Sequence, residues 1–548
     1  MQMELPEEKI RAIVERVVNR ISTQERLSPN ASASATPMVF GGGDLGVFED
    51  VDEAVNASTA AFGHFQEYSF DFRKKMIEAI RVACHQQVDL ISRMAVEESK
   101  LGRYEDKVQK NILAIDKTPG PEVLLTKAVS GDQGLTINER APFGVIASIT
   151  PCTNPTETII NNSISILSGG NTVVYCPHPL AKNVCNYMVH VINQAIIQVG
   201  GPPNLITTLR APTIDMAQNL MTHKKVKLLV VTGGPDVVRK AMMSGKKVVG
   251  AGPGNPPVVV DETADLAQAG RDIVKGASLD NNIICLDEKE LIVVSSVADR
   301  LKQEMLNNGA YEIKGWQLKQ LEKLMLTEDR GPRRHSVVNK EWVGKDAHKI
   351  LEAIGVQVDS SVRLVLVETD ENHPFVWSEL LAPVLPLVRV SNVDYAIKLA
   401  KEAEHGFGHT AVMHSNNLEK LSQMARTINT SIFVKNGMAV AGIGFGGEGH
   451  TSFTIASPTG DGVTNAWTFT PRSALHDGGS LPHRLRLLFK VKSPGTCSGA
   501  FVLAGKLLEF ICTVHLLSSF ALPAILHWYN ANAKTKPEPI LPRGGLRS

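Results

Sequence analysis

Residues 144–176, GVIASITPCTNPTETIINNSISILSGGNTVVYC, read as a strand, a turn, a helix and a second strand. GVIASI and TVVYC are apolar runs too short for a helix and long enough for strands buried on both faces. Pro151 and Pro155 hold the intervening turn extended, and a helix begins near Thr156. That is one βαβ unit. The alternation continues with LITTL, KLLVV, KVVGA and PPVVV, separated by helix-length segments, so the units repeat around a parallel sheet with both faces covered. After PPVVVDETADLAQAGRDIVKGAS it resumes with ELIVV, RLVLVE and VLPLVRV, which gives a second α/β unit. Ahead of both, the globular part starts near Gly46, with helices predicted from about Val51 to Tyr68 and from Asp71 to about Glu98. No internal sequence repeat is present.

Composition agrees with a large cytoplasmic protein of two or three globular units. The chain has 548 residues, 43% apolar and 21% charged, enough to bury sizeable cores. A net charge of +1 gives no electrostatic case for nucleic acid or an anionic membrane as the main partner. The seven cysteines are an odd number without a CxxC pair or a Cys/His cluster at zinc spacing, which argues against a disulfide framework and a structural metal. The N-terminus lacks the apolar core of a signal peptide.

Both ends stand apart. In LPEEKIRAIVERVVNRI, residues 5–21, Ile10, Ile13, Val14, Val17, Val18 and Ile21 fall on one helical face, and the Ser/Ala/Pro-rich STQERLSPNASASATP that follows reads as a flexible linker. Such a helix either folds back on its own domain or an oligomer, or docks on another protein surface. Beyond about residue 480 strand and helix alternation stops. The apolar segment 510–529 contains His515, Ser518, Ser519, Pro523 and His527, leaving a membrane span, a read-through or a poorly ordered tail as readings.

Three segments offer chemistry. In GASLDNNIICLDEKELIVV, residues 276–294, Cys285 follows a polar Asp-Asn-Asn turn and stands at the head of the predicted strand, where a thiol can face a cleft. A cysteine among apolar residues is ordinarily an inert small hydrophobe, and a nucleophile needs thiolate character. In PCTNP, Asn154 either caps the coming helix or offers its amide to an oxyanion. In KVKLLVVTGGPDVVRK a strand runs into Thr232, Gly233 and Gly234, and Pro235 opens a helix, a turn suited to phosphate. Gly442, Gly444 and Gly447 match G-x-G-x-x-G in letters but lie between no evident strand and helix, so they are discounted as a dinucleotide fingerprint.

Together these segments resemble the aldehyde dehydrogenase superfamily, and within it the CoA-acylating propionaldehyde and acetaldehyde dehydrogenases of bacterial microcompartments. The resemblance runs over about residues 5–470, through TPCTNPTETIINNSIS, PHPLAK, VVTGGP, AGPGNPPVVVDETADL, KGASLDNNIICLDEK, SELLAPVLPLVRV, HTAVMHS, TSIFVKNG and GGEGHTSFTIASPTGDG. It implies an α/β fold with two Rossmann-like domains and a small oligomerisation β element. The implied division is an encapsulation helix at 1–22, a linker at 23–45, a nucleotide-binding domain at 46–255 with about 126–140 in the oligomerisation element, a catalytic domain at 256–440, a return segment at 441–475 and an atypical extension at 476–548. By position, Cys285 matches the nucleophile and Asn154 the oxyanion donor, with the Cys285 backbone N–H as second donor. Thr150, Pro151, Pro177, His178, Thr232, Gly233 and Gly234 fall on the cofactor side, and Glu379 matches the glutamate that holds the nicotinamide ribose. No metal is implied. Pro177 and His178 stand where hydrolytic relatives have Lys-Pro, and NAD rather than NADP is the expected cofactor.

Two departures sharpen the expectation. Hydrolytic relatives carry Glu-Leu-Gly-Gly where this chain has AGPGNPP, so the glutamate that activates water is replaced by Ala251. A thioacyl-enzyme lacking that base waits for a better nucleophile, the thiol of coenzyme A. Trp467 replaces an expected arginine, and about 70 further residues follow, which puts the last subunit-contact strand in doubt. The implied activity is oxidation of a short-chain aldehyde to acyl-CoA with reduction of NAD. It would take place in the cytoplasm, in a microcompartment lumen, with a shell protein bound through residues 5–21 and a homodimer or homotetramer as the assembly. The rivals are a hydrolytic dehydrogenase giving the free acid and a scaffold protein with an enzyme-like fold.

Overall fold

A computed structural model describes residues 45–131 and 134–476. The helix and linker expected before residue 45 and the segment 510–529 lie outside these residues. Among the described residues no helix is long and apolar enough to cross a membrane. Among the described residues, 45–128 and 137–474 form one compact unit, and 129–131, 134–136 and 475–476 belong to another.

Two parallel sheets organise the first unit. The first has the order Val47–Phe48, Ile206–Leu209, Thr172–Cys176, Val145–Ile149, Val226–Thr232, Lys247–Ala251, with every pairing parallel. All six apolar runs listed above are strands, the last of them, Pro257–Val260, belonging to the second sheet. Strand side chains alternate between two cores. Val145 and Ala147 pack with Val51 and Val55 on one face, while Ile146 packs with Ile159 and Met188 on the other. Burial on both faces explains why these strands are continuously apolar.

The second sheet, also all parallel, has the order Ala310–Ile313, Leu364–Thr369, Val384–Val390, Glu290–Val294, Pro257–Val260, Thr410–His414, Ile432–Lys435. The first, sixth and seventh of these were not among the strands expected from the sequence. Lys127–Gly131, Gly134–Arg140 and Arg472–His476 make a three-stranded sheet, so a strand does follow Trp467. The Arg140 guanidinium lies 3.8 Å from the centre of the Trp467 ring, whose indole N–H donates to the Val123 carbonyl.

The first long helix, Val51–Phe65, stops three residues short of Tyr68. Asp50 caps it by accepting from the Asp52 and Glu53 N–H groups. The second, Phe70–Ser99, is capped by Ser69 and ends at a left-handed Lys100, φ 61°. In the first sheet the strand order reverses between Val145–Ile149 and Val226–Thr232. A ligand site is expected beyond the carboxyl ends of those strands.

Candidate active site

A cavity of about 650 Å³ opens at that reversal point. All ten residues singled out from the sequence line it: Thr150, Pro151, Asn154, Pro177, His178, Thr232, Gly233, Gly234, Cys285 and Glu379. They come from both α/β halves of the unit. Ala251 does not line it; it is buried at its strand end, and Gly252 and Pro253 form the wall beside it.

Cys285 is not at a strand head, since the strand Glu290–Val294 begins five residues later. It occupies a turn after a short 3-10 segment, Leu279–Asn282, in which Asp280, Asn281 and Asn282 all have positive φ (45°, 56° and 62°). Asp and Asn are the non-glycine residues that tolerate this region best, and each is held by its side chain. Asp280 accepts from the Arg103 N–H at 2.7 Å, Asn281 donates to the Gly344 carbonyl at 2.9 Å, and Asn282 donates to the Ala277 and Glu288 carbonyls, both at 2.9 Å. Lys289, itself buried, donates to Asn282 O, Asn282 Oδ1 and Ile284 O at 2.9, 2.6 and 2.9 Å. The turn that carries Cys285 is therefore built from buried polar bonds. The charged LDEKE stretch that follows Cys285, residues 286–290, is buried throughout.

Burial pushes the Cys285 thiol up to about 12, with the Glu379 carboxylate adding to the rise and the Lys289 ammonium opposing it. Glu379 is itself raised to about 7 by burial, against the pull of Lys289 and of the Gly254 N–H, which donates to its Oε1 at 3.3 Å. The site thus pairs a protonated thiol with a carboxyl group that titrates near neutrality. His409 stands behind Gly254 and is kept neutral by burial, its pKa lowered to about 3.

Asn154 occupies the N-cap position of helix Pro155–Ser168, yet its side chain makes no capping bond. The capping reading is overturned. Its Oδ1 instead accepts from Lys110 Nζ at 2.6 Å, and its Nδ2 lies 3.2 Å from Thr153 Oγ1. Lys110 and Lys107, on helix Tyr104–Lys117, are both fully buried and share the Asp280 carboxylate, at 2.5 and 2.9 Å. These two lysines, in contact with Asn154 and with the turn that carries Cys285, were not singled out from the sequence.

At the other end of the cavity, Gly234 is the N-cap of helix Pro235–Met242 and Pro235 its first residue. A Cβ at Gly234 would meet nothing within 4 Å, and the buried Thr232 Oγ1 has no partner. An open backbone, a helix N-terminus and an orphaned hydroxyl fit a dinucleotide pyrophosphate. His178 is held below the usual histidine range by burial and by the nearby Lys340 ammonium, a cavity-lining residue not singled out from the sequence. Among the described residues no group of three His, Cys, Asp or Glu side chains could hold a metal ion.

Comparison with known proteins agrees with this geometry. Residues 33–468 match the Aldehyde dehydrogenase family. The acetaldehyde dehydrogenase (acetylating) EutE of Escherichia coli K12 is 48% identical over 457 residues, 83% of this chain and 96% of the relative. The propanal dehydrogenase (CoA-propanoylating) of Citrobacter freundii is 45% identical over 439 residues, 80% of this chain and 94% of the relative. Among solved structures, a Rhodopseudomonas palustris propionaldehyde dehydrogenase with bound CoA and an acylated cysteine superposes with a TM-score of 0.77 at 49% identity, covering 79% of this chain and 98% of the other. A propionaldehyde dehydrogenase from the Clostridium phytofermentans fucose utilisation microcompartment gives 0.76 at 44%, covering 79% and 98%. With the two-sheet fold, the cavity that gathers the ten residues singled out from the sequence and these likenesses in hand, the chain belongs to the aldehyde dehydrogenase family.

Proposed function

We propose that this enzyme oxidises a short-chain aldehyde, acetaldehyde or propanal, to the corresponding acyl-CoA through a cysteine thioester. One observation carries the reading: Cys285 and Asn154 line a cavity whose wall at residues 252–253 is Gly-Pro, with no carboxylate to activate water. Among the described residues, the carboxylates lining it are Asp236 and Glu379. The Thr232–Gly234 turn would hold the pyrophosphate of a nicotinamide dinucleotide, NAD in our reading, whose ring would supply the hydride acceptor.

Glu379, which the resemblance makes the holder of the nicotinamide ribose, also lies close enough to Cys285 to act on its thiol, and ionised above about pH 7 it takes the thiol proton. The thiolate adds to the aldehyde carbon, and the resulting oxyanion is met by Asn154 Nδ2 and the Cys285 backbone N–H. Loss of hydride from that carbon leaves a thioester on Cys285. The thiol of coenzyme A, giving up its proton, attacks the thioester carbonyl and expels the Cys285 thiolate, which releases acyl-CoA with ping-pong character.

The near-neutral Glu379 also favours a second reading, in which it activates water and the product is the free acid. Reduced cofactor measured with and without CoA separates the two. Multiple turnovers that require CoA support the acyl-transfer reading, and equal rates without CoA overturn it. Residues 5–21 form the docking helix for a shell protein, the site of action is a microcompartment lumen, and the assembly is a dimer or tetramer. Deleting residues 1–22 abolishes packaging and leaves catalysis intact; loss of catalysis instead favours a helix folded back on the enzyme.

A further inference from the structure

Four ionic side chains are enclosed beneath the cavity floor. Lys107, Lys110, Glu157 and Asp280 are each 1% exposed or less, and they are joined by contacts of 2.9 Å (Lys107 to Asp280), 2.5 Å (Lys110 to Asp280) and 3.2 Å (Lys110 to Glu157). Burying such a cluster is costly, and an apolar packing of the same volume is often as stable. Stability alone does not account for it. Burial works against the charge on Lys110, yet the Asp280 and Glu157 carboxylates outweigh burial and raise its pKa above the ordinary lysine value.

The third partner of Lys110 is the amide of Asn154. An ammonium group donates and never accepts, so the atom 2.6 Å from Lys110 Nζ must be the amide oxygen. The flip ambiguity of an asparagine side chain is thereby removed. With the oxygen drawn into the protein, the amide nitrogen is the atom left for the cavity. One of its two hydrogens reaches Thr153 Oγ1 at 3.2 Å and the other remains available to a ligand.

We propose that Lys110 is a positioning residue for the oxyanion donor: it locks the Asn154 amide with Nδ2 toward the cavity, and Asp280 locks Lys110 while anchoring the turn that carries Cys285. This rests on the roles assigned above to Asn154 and Cys285. Lys107 holds the same carboxylate but contacts Thr153 O, at 3.1 Å, rather than the Asn154 side chain. The two lysines are therefore distinguishable.

The experiment is single-turnover formation of reduced nicotinamide from propanal and NAD in the full-length enzyme, compared among N154A, K107M, K110R, the charge-balanced K110M/E157Q and K110M/E157Q combined with N154A. N154A and K110M/E157Q are each expected to slow the step by about 10²-fold, the scale of losing one oxyanion donor. The combined variant is expected to be no slower than N154A, K110R to recover most of the rate, and the KM for CoA to stay within twofold. K107M is expected to cost no more than a few-fold. Equal losses in K107M and K110M/E157Q would overturn the inference, as would losses that multiply in the combined variant. If K110M/E157Q does not fold, K110Q, whose amide can donate or accept, replaces it with the same non-additivity expected. An impaired N154A beside an unimpaired Lys110 variant defeats this inference alone, whereas an unimpaired N154A defeats the oxyanion reading with it.

Discussion

The backbone N–H of Gly254 donates to Oε1 of Glu379 at 3.3 Å, so the carboxyl group facing the nucleophile is tethered to the segment that lacks a carboxylate of its own. Glu379 titrates at about 7, and it must be ionised to accept the thiol proton. The acylation rate is therefore expected to rise with pH through 7 and level off. Glu379→Gln is expected to lower the rate at pH 7 by about 10²-fold, the low end for a general base, and to remove that limb. Pre-steady-state release of reduced cofactor across pH 5.5–9 reads this; a limb that persists in the variant assigns it to another group.

Cys285→Ala is expected to fold normally, because a small apolar side chain replaces a small thiol held in apolar surroundings with Ile283, Ile284 and Leu286, and to show no CoA-dependent cofactor reduction. Intact mass after incubation with aldehyde and NAD should show an acyl adduct on the wild type alone. An adduct on the variant would place the nucleophile at another cysteine, with Cys152 and Cys176 also lining the cavity.

Without CoA, the wild type is expected to release about one equivalent of reduced cofactor per site and then stall, since Ala251 supplies no general base. Continued turnover at the CoA-dependent rate would mean that water is activated from elsewhere, and E379Q would then be the variant that stops it.

Glu288 is buried and raised to about 7, with its Oε1 accepting from the Ala439 N–H at 2.7 Å. Its neutral form is the one the fold prefers. Its contribution is fully present below about pH 4.5 and declines as pH rises toward 7, by ~3 kcal/mol in all. Glu288→Gln keeps the acceptor and removes the ionisation, so denaturant midpoints are expected to match the wild type near pH 5 and exceed it at pH 8. A gap that does not grow with pH would reject this.

Asn281 has φ 56° and donates to Gly344 O at 2.9 Å and Asp346 Oδ1 at 3.1 Å. Alanine and glycine at this position lose the same bonds but differ in their tolerance of the left-handed region, worth about 1–2 kcal/mol. Asn281→Ala is expected to be the less stable of the two by that amount. Equal stability would mean that the turn relaxes.

The legible part of the fold was the part buried symmetrically. The stretches VVYC in Thr172–Cys176 and LIVV in Glu290–Val294 are apolar without interruption because both faces of their strands are covered, and they could be read at once. Ala310–Ile313 sits at a sheet edge with its two middle residues half-exposed, and Thr410–His414 is fully buried but begins and ends in polar side chains, so neither stood out. The site was legible through its backbone punctuation: Pro151 and Pro155 around Asn154, and Gly233 and Gly234 before Pro235. Its electrostatics were not. Lys107 and Lys110 sit among charges in YEDKVQK, which any reading of helix periodicity takes for a solvated face, and only their spacing with the buried Asn111 and Ala114 hinted at the inside. The same blindness applied to LDEKE, where four ionisable residues in a row, 287–290, are all buried.

Gly254 has a further consequence for anyone redesigning this enzyme. A Cβ there would lie 2.6 Å from the carbonyl oxygen of Cys285 and 3.0 Å from His409 Cγ, so main chain faces main chain across a gap one hydrogen wide. Libraries aimed at new aldehydes gain nothing by sampling that codon. The adjustable walls are side chains such as Leu381 and Phe453, which line the same cavity from segments other than the one that carries Cys285.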